Sequence, residues 1–241
     1  MLHLDGVTTF SIIFNEGSME TKHVENTVIT SLKSDEKILV IERATLFPDG
    51  SLDGFVPMQS FDDFEKLIVK HQKFLWRSDM ETDPTYKQII PYLIFSYDGS
   101  YFVMQRKSDA SEARLQNKYS LGIGGHIRQE DIQGKTLEEW AQREFEEEVN
   151  YTGSLKIQAL GIINDDSSSV GQVHVGFAFL LEGDCAGISI KDEHKDGKLM
   201  TLEQMQPLYQ DMETWSQWVY AFLQVRQESQ LLSTQQQCCS H

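Results

Sequence analysis

Cysteine is scarce: three residues in 241. Cys238 and Cys239 are adjacent near the C-terminus and Cys185 stands alone. That pattern suits neither a disulfide framework nor a zinc site, and it fits a reducing, cytoplasmic setting. Basic charge is scarce too. Lys and Arg number 21 against 37 Asp and Glu, a formal net charge of −16. So acidic a surface repels a phosphate backbone, which argues against a long nucleic acid as partner. A small anionic substrate stays open if a divalent metal stands between its phosphates and the acids. Long hydrophobic runs are missing near the N-terminus as well. Phe10 to Phe14 is apolar, but it has no basic lead and falls far short of the ~20 residues of a membrane span, so neither a signal peptide nor a spanning segment is expected.

What is present is an ordinary globular composition, 40% hydrophobic and 24% charged. It allows one large domain, or one with a modest extension. Residues 1–34 read as a leader without assigned function; Met19, after Glu16-Gly17-Ser18, is an alternative start. KILVIE (Lys37 to Glu42) has the short β-branched character of a buried strand. Ser60 and Asp63 have capping spacing ahead of a helical stripe of Phe61, Phe64, Leu67, Ile68 and His71, which reads as core. Ile89 to Tyr97 and Tyr101 to Arg106 flank Asp98-Gly99, a strong hairpin signal. Tyr119 to Ile123 is a strand leading into Gly124-Gly125. Strands are expected at Leu155 to Ile163, Val170 to Leu181 and Ile188 to Lys191. A closing helix is expected from about Leu208 to Val225, with Leu208, Met212, Trp215, Val219 and Phe222 as one apolar stripe that also offers a homodimer surface. The Gln/Ser-rich segment 226–241 reads as a disordered tail. The alternation of elements predicts an α+β fold, an α/β/α sandwich around a mixed sheet.

The chemistry concentrates between Gly124 and Tyr151. Thr136 and Glu139 have capping-box spacing at the start of a helix. With about 100° of rotation per residue, Leu137, Ala141, Phe145 and Val149 step along one apolar face. Glu138, Glu139, Gln142 and Glu146 fall on the opposite, solvated side. Glu144 and Glu148 fall on the apolar side and Glu147 at its margin, beside Trp140. A carboxylate turned toward a packed face is costly unless paired or bound to metal, and like charges one turn apart repel. Arg143 alone cannot offset three clustered acids. Glu144, Glu147 and Glu148, at i, i+3 and i+4, therefore form a candidate site for Mg²⁺ or Mn²⁺, hard ions that keep waters and bind phosphates.

The run Arg143-Glu144-Phe145-Glu146-Glu147-Glu148-Val149-Asn150-Tyr151 resembles the back half of the Nudix box: Arg-Glu, hydrophobic, any, Glu-Glu, any, Gly, hydrophobic. Gly124-Gly125 after a strand resembles its front. The box places a Glu six positions after its Gly; here Asp131 stands six after Gly125, and eleven residues rather than seven separate it from Arg143. This is read as a four-residue insertion before Thr136, with Asp131 or Glu130 in the front acid's place. Asn150 replaces the usual Gly at a helix end that Asn also tolerates. The stretch from Lys118 to Ile127, with Ser111 to Leu115 before it, resembles bacterial members of the family that carry an extended N-terminal region. The resemblance implies a Nudix-like hydrolase domain over residues 87–225, with 35–86 as an extension packed on it.

It further implies metal-dependent hydrolysis of a phosphoanhydride in a nucleoside diphosphate linked to another group. Glu144, Glu147 and Glu148, with the Gly125 carbonyl, would hold the metal, Glu144 would serve as base, and Arg143 would orient the glutamates. Arg106, Arg114, Lys118 and Lys87 are candidate phosphate contacts. Asp192 and Glu193 are candidates for a base supplied from a distant loop, and Trp76, Tyr92 and Phe95 for stacking on a nucleobase. His126 and His174 read as structural. A second reading is a nucleotide-sensing module with weak or absent turnover, which the altered front of the box allows. A third, an isomerase of isoprenoid diphosphates, would need a catalytic cysteine before the box, and none stands there.

Overall fold

The computed structural model describes residues 35–50, 53–57, 61–106, 117–131, 137–191 and 195–238. In chain order these form β1 (Lys37–Glu42), α1 (Arg43–Leu46), β2 (Gly54–Pro57), α2 (Phe61–His71), β3 (Lys73–Trp76), α3 (Arg77–Met80), β4 (Tyr86–Tyr97), β5 (Ser100–Arg106), β6 (Tyr119–Ser120) and β7 (Ile123–Gly124). They continue with α4 (Leu137–Glu148), β8 (Val149–Asn150), β9 (Leu155–Asn164), α5 (Ser169–Val173), β10 (His174–Gly183), β11 (Ser189–Ile190), β12 (Lys195–Met200), α6 (Leu202–Met205), a 3-10 turn at Gln206–Asp211, and α7 (Thr214–Cys238). Among the described residues no helix is long and apolar enough to cross a membrane.

The main sheet is mixed, with strand order β12-β5-β4-β10-β9-β2. Its centre is the parallel pair β4 and β10, with His174 opposite Gln88 and Phe179 opposite Leu93. The first half of β4 pairs with β1, and its second half with β7 and β5. The β4–β5 turn has positive φ at both Asp98 (45°) and Gly99 (72°), the geometry that a two-residue hairpin matched to strand twist requires.

Because successive side chains on a strand point to opposite faces, β4 feeds two cores. Leu93 and Phe95 join Phe102, Trp140, Phe145, Phe177 and Phe179 beneath α4. Tyr92 and Ile94 join Leu160, Leu180, Met205, Val219 and Leu223 beneath α6 and α7. The result is the expected α+β sandwich: helix, mixed sheet, helix. The Phe95 and Phe145 rings stack 5.6 Å apart at 12°, pinning α4 to the sheet; losing such a buried ring costs about 3–5 kcal/mol.

Several local expectations are corrected. The closing helix starts at Thr214 rather than Leu208, and Leu208 lies in the 3-10 turn before it. Val219 of the stripe, with Leu223, is fully buried within the chain's own core, while Trp215 and Phe222 are partly buried. The helix runs on to Cys238, where a disordered tail was expected; Gln, Leu, Glu and Arg are good helix formers, and no Pro or Gly interrupts them. Val170 belongs to α5, and the strand begins at His174. Asn150 does not cap α4 in a left-handed conformation. It enters β8, which pairs with Ser189 and Ile190. The strands β3 and β12 were not anticipated.

Candidate active site

The burial around α4 follows the rotation reading. Trp140, Ala141, Phe145 and Val149 are buried, while Glu138, Glu139, Gln142 and Glu146 are exposed. Glu144 and Glu148 are partly buried, and Glu147 is exposed at the margin. The helix end thus carries three acids graded from the packed side outward. Glu144 shows the strain of that arrangement. Burial pushes its pKa up to about 7, and the neighbouring charges of Glu147 and Glu148 push in the same direction.

The loop after β7 lies directly against this carboxylate. A Cβ on Gly125 would come within 2.1 Å of Glu144 Oε1, so the carboxylate keeps its present position against the loop because residue 125 is glycine. Gly124 and Gly125 also line a cleft of about 550 Å³, together with His126, Asp165, His174 and Trp215. The loop therefore joins the acidic end of α4 to the cleft wall.

Arg143 sits between two acids. Its Nη1 donates to Glu147 one turn along the helix. Its Nη2 lies 3.0 Å from Asp131 Oδ1 as an ion pair, although off the line of an N–H bond, and Nε has no acceptor among the described residues. Asp131 is itself buried and clamped by Arg128, which donates through its backbone N (2.9 Å), Nε (3.1 Å) and Nη2 (3.1 Å). Burial alone would raise the Asp131 pKa, but the bonds from Arg128 and the charges of both arginines outweigh it and hold the carboxyl below its ordinary range. Glu130 is 68% exposed and only 3.8 Å from Arg128.

At the cleft wall His174 Nδ1 bonds the Val170 carbonyl, and His126 Nε2 contacts Gln88 Oε1 and His174 Nε2. Both imidazoles are kept neutral. Burial is the main cause, lowering the His126 pKa to about 3 and the His174 pKa in the same direction.

No protein-family model matches the chain. It is 35% identical to protein YmaB of Bacillus subtilis over 207 residues, which is 80% of this chain and 99% of that protein. The crystal structure of Tm1382, described as a candidate Nudix hydrolase, is 30% identical and superposes with a TM-score of 0.68 over 78% of this chain and 98% of that one. The chain belongs to the Nudix family.

Other expected site residues fare differently. Lys87 is a correction. It is fully buried, and its Nζ donates to Asp166 Oδ1 (2.7 Å), the Gly171 carbonyl (2.7 Å) and the His174 carbonyl (3.1 Å), which leaves no donor for a phosphate. Lys118 reaches the Gln210 carbonyl and does not line the cleft. Arg114, Thr136, Asp192, Glu193 and the side chain of Arg106 lie outside the described residues. Tyr92 and Phe95 are buried in the two cores, and Trp76 is 47% exposed with Lys37 over its ring. None of these three lines the cleft; the tryptophan that does is Trp215. Asp165, which the sequence reading passes over, is 7% exposed and faces the cleft. Its one sequence signal is its place in the short segment between the expected strands Leu155 to Ile163 and Val170 to Leu181, where a rigid loop can carry a functional acid.

Proposed function

We propose that the chain is a divalent-metal-dependent hydrolase that cleaves a phosphoanhydride bond in a nucleoside diphosphate linked to another group. The observation that carries this reading is the partly buried Glu144 held against Gly125, its pKa raised by burial and by Glu147 and Glu148. Such a cluster is relieved when a cation enters it, and oxygen donors suit Mg²⁺ or Mn²⁺. Glu144, Glu147, Glu148 and the Gly125 carbonyl would form the donor set. Bound there, the ion would neutralise charge on the phosphates and polarise the bond to be broken.

The protein's own groups do the rest. Glu144, the most enclosed of the three, takes the proton of the attacking water. Arg143 positions Glu147 through its intrahelical bond. Asp131 stands in for the front acid of the box by holding Arg143 from the other side, a role supported by the 3.0 Å approach of the two side chains and by the exposure of Glu130. The cleft beside Gly125 receives the remainder of the substrate, with Trp215 as an apolar wall.

A panel of nucleoside diphosphate derivatives, incubated with Mg²⁺ or Mn²⁺ and read by mass spectrometry, tests the reading. Metal-dependent release of a nucleoside monophosphate is expected. Tight metal-dependent binding without turnover across the panel would overturn it in favour of a nucleotide sensor.

A further inference from the structure

Glu81 at the end of α3, His126 after β7 and His174 at the start of β10 come from three distant parts of the chain and meet beside the cleft. One ligating atom from each lies within 4.8 Å of the other two. The Nε2 atoms of His126 and His174 are 3.3 Å apart. Two imidazole nitrogens bound at ~2.0–2.1 Å to one tetrahedral ion are separated by about 3.4 Å. The two rings already have the spacing that a shared ion would impose.

Their orientation is fixed from behind. The Val170 carbonyl, 2.7 Å from His174 Nδ1, can only accept, so the proton sits on Nδ1 and Nε2 keeps its lone pair. A backbone carbonyl in this role is the usual support of a metal-binding histidine. Gln88, directly opposite His174 in the β4–β10 register, donates its amide nitrogen to the Met80 carbonyl (3.1 Å) and so presents its oxygen to His126 Nε2 at 2.8 Å. Without a cation the His126 Nε2 proton serves Gln88 and His174; with one, that proton moves to Nδ1. Arg77, the cation on this wall of the cleft, is already paired with Glu36 (3.0 Å) and Glu81 (3.2 Å).

We infer that Glu81, His126 and His174 form a second metal site, distinct from the glutamates of α4 and selective for a borderline ion such as Zn²⁺ or Co²⁺. Imidazole nitrogens favour such ions over Mg²⁺. Three protein ligands leave a fourth position open. Because both histidines line the cleft, that position takes water or an anionic oxygen of the bound ligand. The inference does not depend on the reaction proposed above.

The test separates the two sites. A full-length variant carrying Glu144→Gln, Glu147→Gln and Glu148→Gln is dialysed against Zn²⁺ and its metal content measured, then loaded with Co²⁺ for visible spectroscopy. One Zn²⁺ per chain and the absorption of four-coordinate Co²⁺ are expected. Adding His126→Ala should abolish both signals. Glu81→Ala, at an exposed position that spares folding, removes one of three protein ligands and should weaken Zn²⁺ binding by at least about 10-fold, more than the loss of an outer-shell partner. A triple variant that retains no Zn²⁺, or Zn²⁺ binding unchanged by His126→Ala and Glu81→Ala, would overturn the assignment.

Discussion

Gly125 and Glu144 are in direct contact, with room for a hydrogen but not for a methyl group: a Cβ at 125 would sit 2.1 Å from Glu144 Oε1. Gly125→Ala must therefore push either the loop or the carboxylate away. A displacement of about 1 Å at a reacting centre costs on the order of 100-fold in rate. The expected outcome is a fall in kcat of that size with little loss of stability, because the clash meets only the flexible end of the Glu144 side chain. Steady-state kinetics and thermal unfolding of the same variant measure the two effects.

Asp131 is the acid shared by Arg128 and Arg143. Asp131→Asn removes the charge and keeps the shape. Both arginines then lose the buried anion they share, so stability should drop by about 2 kcal/mol, less than for a fully buried pair because Arg128 is 39% exposed and Arg143 keeps Glu147. Activity should fall about 10-fold as Arg143 loses its second anchor. Glu130→Gln, at a 68% exposed side chain, should change neither. Urea denaturation of the two variants side by side distinguishes the acids.

Lys87 is structural. Its ammonium joins α5 and the start of β10 to Asp166, which also receives Arg43 at 2.7 Å. Lys87→Met should cost about 2–4 kcal/mol, because buried carbonyls lose a donor, while KM for the substrate stays the same at a temperature where the variant is folded. A selective rise in KM without loss of Tm would return Lys87 to the substrate.

How much of this was legible beforehand depends on the range of the interactions. The face of α4 is a property of one short segment, and rotation alone separated Glu144 and Glu148 from Glu138, Glu139 and Glu146. The hairpin at Asp98-Gly99 is equally local. By contrast, β12 reads Lys-Asp-Gly-Lys-Leu-Met, a turn-like run that becomes a strand only because β5 offers it an edge. Asn150 likewise follows its pairing with Ser189 rather than its own preference for a helix end. The cleft was hidden for the same reason. His126, Asp165, His174 and Trp215 are scattered in sequence, and the register of β4 with β10 and the docking of α7 bring them together. Lys87 looked available because a strand residue beside the first hairpin has no visible partner until Asp166 arrives from a distant turn.

The raised pKa of Glu144 has a definite sign. Its folded value of about 7 lies above the ordinary 4.5, so the folded state holds a proton that the unfolded state gives up between those values. Stability from this group is complete below about pH 4.5 and is lost as pH rises through 7. His126 and His174, with lowered values, act in the opposite direction, losing stability as pH falls. The difference between wild type and Glu144→Gln isolates the acid. In metal-free protein, wild type should lose on the order of 1–2 kcal/mol relative to the variant between pH 5 and pH 8, after allowance for partial exposure. Mg²⁺ should abolish that loss. Thermal unfolding with and without a chelator across this range checks it.

The central claim is that the acids at the end of α4 hold the ion on which hydrolysis depends. The direct measurement is nucleoside monophosphate release with saturating Mg²⁺ by wild type and by the Glu147→Gln, Glu148→Gln double variant, with circular dichroism confirming that both are folded. The account predicts turnover by the wild type and a loss of at least about 1,000-fold in the variant, the scale on which electrostatic stabilisation of a phosphoryl transition state operates. Equal turnover by the two proteins would contradict it.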